Sequence, residues 1–190
     1  ETFDKSNIYD ASRSRESNLE IKGSNGITLE FWLKKDSFVS GSESAKQVLF
    51  DVWNSASLGS STYGRFRVEL HPGISGEENY FYVELASGSS GLSSGSVGNL
   101  LPIGTSLDLL GNDWNHYSLS VINSGSQMAA RLYSNGALNN TIITGSSISL
   151  ITGSMLGTIG SLLTSTSGSH GSLGWGKLSG SVDELRFWKT

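Results

Sequence analysis

Residues 26–34 read GITLEFWLK, and their alternation decides the fold class. Ile27, Leu29, Phe31 and Leu33 fall on one face, and Thr28, Glu30, Trp32 and Lys34 on the other. A period of two marks a strand with one side against an apolar core. In 47–53, QVLFDVW, the same rule places Val48, Phe50 and Val52 on one side and Leu49, Asp51 and Trp53 on the other. In 64–70, GRFRVEL, it places Phe66, Val68 and Leu70 inward against Arg65, Arg67 and Glu69. In 79–85, NYFYVEL, Phe81, Val83 and Leu85 point inward against Tyr80, Tyr82 and Glu84. If these last two segments pair as a hairpin, their outer face carries two Arg, two Glu and two Tyr.

The pattern continues downstream. Residues 86–99, rich in Gly and Ser, read as a flexible loop. A strand follows at 113–123, and a strand–Asn135-Gly136–strand unit is expected over roughly 128–142. That dipeptide is the strongest turn signal in the chain, because both central positions of a type I′ turn need positive φ. A short strand is expected at 154–161, a second Gly/Ser loop at 164–176 and a closing strand at 177–189. About ten to twelve strands at this spacing predict a sandwich. No fixed-period repeat supports a propeller or solenoid.

Composition narrows the class further. At 190 residues the chain suits one domain, residues 1–190, and opening at Glu1 it is expected to be a mature product or a domain excised from a longer chain. Only 16% of residues are charged, the net charge is −4 and no basic stripe occurs, which argues against a nucleic-acid partner. No apolar run is long enough to span a bilayer, so no membrane insertion is expected. Without Cys there is neither a disulfide nor a thiolate metal site.

Three stretches in order carry a resemblance. They are GITLEFWLK with Glu30 and Trp32, the middle segment with Trp114, His116, Leu132, Tyr133, Asn135 and Gly136, and LSGSVDELRFW with Gly180, Asp183 and Glu184. Together they resemble the laminin-G-like, concanavalin A-like lectin/glucanase superfamily. The resemblance implies an all-β, two-sheet antiparallel jelly-roll sandwich. The segment 7–24 with 30–38 also resembles copies of this module in bacteriophage and cyanophage virion proteins. That implies an extracellular or virion location, with other virion subunits as neighbours.

The adjacent acids Asp183 and Glu184 raise the question of chemistry. Related retaining glucanases place two carboxylates on one strand face, about 5–5.5 Å apart. Strand pleating predicts that Asp183 and Glu184 point to opposite faces, so no enzyme of that type is expected from them. A hydrolase would need another pair, with Glu69 and Glu84 on one hairpin face and Glu30 joining them from another strand. The resemblance implies calcium at Asp183, with Asp10 or Asp4 as partner, where calcium takes six to eight oxygens. The plainer alternative is that Asp183 accepts backbone N–H groups. Glu184 is expected to be buried or half-buried and paired with Arg186 or a backbone group. His71, His116 and His170 lack metal-ligand spacing.

Aromatic side chains on polar strand faces suit stacking on sugars. Arg65, Arg67, Tyr80, Tyr82 and Trp175 are the candidate ligand contacts, whereas Trp32 and Trp53 are expected to pack beneath the Gly/Ser loops. The expected function is a non-catalytic recognition or adhesion module that binds a glycan or protein surface. The alternatives are a structural spacer between virion subunits and a glycoside hydrolase.

Overall fold

A computed structural model describes residues 19–38, 46–72, 81–92, 99–151, 153–162 and 176–189. Eleven strands occur among them: β1 (Ile27–Lys34), β2 (Gln47–Trp53), β3 (Gly64–Leu70), β4 (Phe81–Ser87), β5 (Ser90–Leu92), β6 (Leu101–Ile103), β7 (Asn115–Ser124), β8 (Gln127–Ser134), β9 (Ala137–Thr144), β10 (Leu156–Ile159) and β11 (Ser181–Lys189). They form two antiparallel sheets. One has five strands in the order β11-β1-β7-β8-β9; the other has six, in the order β10-β2-β3-β4-β5 with β6 also on β4. Among the described residues no helix is long and apolar enough to cross a membrane. The expected all-β jelly-roll sandwich is the fold observed.

Alternation builds the core. Leu29 and Phe31 of β1 meet Phe66 and Val68 of β3 and Phe81 and Val83 of β4 in one buried cluster. Phe31, Phe81 and Tyr117 interlock across the two sheets, with ring centroids 5.0–6.0 Å apart. Burial pushes the Tyr117 hydroxyl up to about 12. Each such large apolar side chain contributes about 1.5–3 kcal/mol by leaving water. The β8–β9 hairpin turns at Asn135 and Gly136, whose φ values of 49° and 81° are those a type I′ turn requires.

Three bulges interrupt the ladders among the described residues: one in β9 at Asn139, and two that change the facing of expected residues. Val48 pairs with Glu69 but Phe50 pairs with Val68, so Leu49 is an extra residue in β2. This exchanges the expected sides of two neighbours. Leu49 enters the core beside Phe50, and Val48 turns to the opposite face with Glu69. In β11, Arg186 pairs with Glu30 and Asp183 with Trp32, so Glu184 and Leu185 together stand opposite Phe31. Glu184 adopts φ 47°, a left-handed conformation that non-glycine residues rarely take.

The stretch 86–99, expected to be a flexible loop, instead contributes the end of β4 and all of β5. Glycine makes this possible, because a side chain on Gly91 would run into the carbonyl oxygen of Leu85 on the adjoining strand. The three-residue β6 was not expected either; Pro102 sits within it, opposite Tyr82.

Candidate functional site

The outer faces of the two sheets differ in chemistry. On the six-stranded sheet, β3 and its flanks send Tyr63, Arg65, Arg67, Glu69 and His71 to one side at alternate positions. Asp51 and Glu84 stand beside Arg67 on the neighbouring strands. This polar face is buried: Asp51 and Glu84 are 0% exposed and Glu69 only 3%.

Arg65 grips Asp51 through two hydrogen bonds of 2.8 and 2.7 Å. Burial works against the Arg65 charge, but the fork to Asp51 outweighs it and raises its proton affinity. Arg67 lies 3.3 Å from Glu69 and 3.2 Å from Glu84. The contact with Glu84 runs through Nη2 and lacks hydrogen-bond alignment; Glu84 Oε2 and Arg67 Nε are both buried without a hydrogen-bond partner among the described residues. Burial therefore raises the pKa of Glu84, with Arg67 opposing it. For Glu69 burial acts in the same direction, but a 2.7 Å contact with His71 and the Arg67 charge hold its carboxyl below the usual range. His71 in turn stacks on Tyr82, with centroids 3.8 Å apart.

The candidate contacts Arg65, Arg67 and Tyr82 thus belong to a tied ionic layer, because an alternating polar face need not be a solvated one. Glu69 and Glu84 do share that face, flanking Arg67. Glu30 cannot join them, since β1 belongs to the other sheet. Tyr80, Trp175, Asp4 and Asp10 lie outside the described residues.

The outer face of the five-stranded sheet is open. Trp32, Trp114, Asp183 and Glu184 line one shallow cleft of about 330 Å³. Trp32 and Trp114 are 38% and 44% exposed, and Trp188, on the same face, is 49% exposed. Trp32 therefore does not pack beneath a loop as expected. Trp53 makes the loop contact instead, donating its indole N–H to the Ala56 carbonyl at 2.8 Å.

Sharing this cleft overturns the expectation that Asp183 and Glu184 face opposite ways. The bulge supplies one extra residue, so the pleat no longer separates them, while Val182, Leu185 and Phe187 keep their places against the core. Glu184 is exposed rather than half-buried, although the expected partner holds: Arg186 Nη2 donates to its Oε2 at 2.9 Å. Asp183 Oδ1 accepts the Glu184 backbone N–H at 2.8 Å, which fixes the bulge.

Glu30 organises the rest of the surface. Its carboxylate accepts the Trp188 indole N–H at 3.0 Å and contacts His116 Nε2 at 3.0 Å. The Trp188 hydrogen bond, aided by His116, holds the Glu30 carboxyl below its usual range against the effect of burial. His116 packs against Trp32 with centroids 5.2 Å apart. Trp114 and Trp188 were not marked as contacts by sequence. The clue to Trp188 was its alternate position with Arg186 in a charged final strand.

The partners expected to hold calcium with Asp183, Asp4 and Asp10, lie outside the described residues. Among the described residues no group of three or more His, Asp and Glu side chains stands together as a metal site requires.

No family model matches the chain, and no curated protein matches it in sequence. Its structure is similar to the heptameric SAP-like pentraxin from Limulus polyphemus, at 14% identity and TM-score 0.50, covering 89% of this chain and 66% of the pentraxin. Scytalido-glutamic peptidase aligns at 11% identity and TM-score 0.33, over 73% of this chain and 59% of the peptidase. A Caenorhabditis elegans galectin aligns at 17% identity and TM-score 0.29, over 75% of this chain and 84% of the galectin. The pentraxin likeness is one of fold: the concanavalin A-like jelly-roll.

Proposed function

We propose that the chain is a non-catalytic recognition module that binds glycans through the Trp32–Trp114 cleft, displayed on an extracellular or virion surface. One observation carries this reading: two large indole rings stand in the open beside two carboxylates in one cleft, where burial would be the ordinary fate of such rings. Indole faces stack on the apolar C–H faces of pyranose rings, and carboxylates accept sugar hydroxyl protons. The jelly-roll type agrees with it.

The test is an array of immobilised glycans probed with the chain and with Trp32→Ala and Trp114→Ala. Binding should fall at least about tenfold in each variant, as for loss of a stacked aromatic anchor. Tyr80→Ala and Trp175→Ala serve as comparisons. If these abolish binding while the cleft variants retain it, the recognition surface lies elsewhere.

The shared cleft of Asp183 and Glu184 favours a second reading, glycoside hydrolysis. Against it, Glu184 is exposed and bound to Arg186, not set in the apolar surroundings a general acid uses. Incubation with a polysaccharide panel should release no products. Hydrolysis abolished by Glu184→Gln would establish the enzyme instead.

A further inference from the structure

Charge divides the saccharides this cleft can hold. Trp32 and Trp114 alone would accept the apolar face of any pyranose. Asp183 and Glu184 add two carboxylates to the same lining, and Glu30 adds a third on the adjoining surface. Arg186 is the facing cation on β11, engaged with one oxygen of Glu184, and His116 lies against Glu30. Lys34 follows Trp32 at the next alternate position of β1, opposite Ser181 at the strand's end. Arg131, two strands away, shares the face as well, but Asp183 and Glu184 are the charged groups that line the cleft itself, within a chain of net charge −4. Among the described residues, Asp183 Oδ2 carries no hydrogen bond, since the bond that fixes the bulge uses Oδ1.

A sugar acid, sulfate or phosphate would be repelled here. A neutral sugar would gain from the rings but little from the carboxylates. A protonated amine gains from both: the indole faces attract a cation through their quadrupoles, and the carboxylates supply charge-assisted hydrogen bonds. Resting on the glycan reading above, we infer that the cleft selects saccharides bearing a free, protonated amine, the chemistry of a 2-amino-2-deoxyhexose without its acetyl group. The bulge at Glu184 is the device that creates this preference, because without it only one of the two acids would reach the cleft.

Calorimetric titration with three probes tests the inference: a glucosamine oligomer, its fully N-acetylated counterpart and a lysine peptide of equal charge. The glucosamine oligomer should bind about tenfold more tightly than the N-acetylated one at low salt. The advantage should shrink as salt screens the carboxylates. In the double variant Asp183→Asn, Glu184→Gln the ratio of the two affinities should collapse toward one. The Asp183→Asn change keeps a carbonyl acceptor for the bulge, and an unaltered melting temperature would confirm that the sheet is intact. Equal affinity for both oligomers, or a preference that survives the double substitution, overturns the amine inference and leaves the glycan reading standing. Binding of neither oligomer overturns the amine inference, and the glycan array then decides the glycan reading by itself. A peptide that binds as well as the glucosamine oligomer shows a site for ammonium alone and overturns the saccharide assignment.

Discussion

The indole N–H of Trp188 donates a 3.0 Å hydrogen bond to Oε2 of Glu30, joining residues 158 positions apart. The same carboxylate contacts His116, whose ring packs on Trp32. One acid therefore braces two of the exposed tryptophans. Its lowered pKa means that the bracing is present at and above the ordinary value of 4.5 and is lost as pH falls through the lower folded value. Acid titration of tryptophan fluorescence should show a transition below pH 4.5 that is absent in Glu30→Gln. An unchanged titration in that variant would show that Glu30 does not hold the rings.

Arg67 lies between Glu69 and Glu84 and reaches both carboxylates. Arg67→Met should destabilise the fold by about 3–5 kcal/mol in urea unfolding, because it takes a cation away from two buried acids. Glu84→Gln should cost much less, since burial already disfavours the Glu84 charge. Equal losses in the two variants would contradict this asymmetry.

Those two acids also predict opposite responses to pH. Glu69, held below 4.5, stabilises the fold above that value and loses its contribution as pH falls through its folded pKa. Glu84, raised above 4.5, is penalised when charged, and protonation as pH falls toward 4.5 relieves the penalty. Removing this relief in Glu84→Gln should steepen the loss of stability on acidification, and Glu69→Gln should flatten it. Melting temperatures measured from pH 7 to pH 3 would reveal either slope.

Glu184 sits at φ 47° in the bulge. A left-handed conformation costs a non-glycine residue about 1–2 kcal/mol. Glu184→Gly should therefore stabilise the fold by about 1 kcal/mol even though it removes the exposed pair with Arg186, which is worth little. Glu184→Val should destabilise it. Chemical denaturation that ranked the two variants in the reverse order would argue against strain at this position.

Much of the architecture was legible because period-two patterning states which side chains share a face. The inner residues of β1, β3 and β4 and the Asn135-Gly136 turn all follow from it. The bulges of β2 and β11 were not legible. Leu49 and Glu184 carry no glycine or asparagine to announce an extra residue, and each reverses the facing of a neighbour. Alternation also says nothing about whether an outer face is covered. Arg65 and Arg67 therefore read as candidate contacts although they are enclosed with their acids. For the same reason Trp32 read as covered although it is open.

The pairing of β1 with β11 also sets an order of assembly. At a synthesis rate of about 5–20 residues per second, β11 leaves the ribosome roughly eight to thirty seconds after β1. During that interval β7, β8 and β9 can already stack beside β1, whereas the wall that carries Asp183 and Glu184 does not yet exist. Translation thus completes the rest of this sheet first, and the Trp32–Trp114 cleft gains its Asp183–Glu184 wall only when β11 docks.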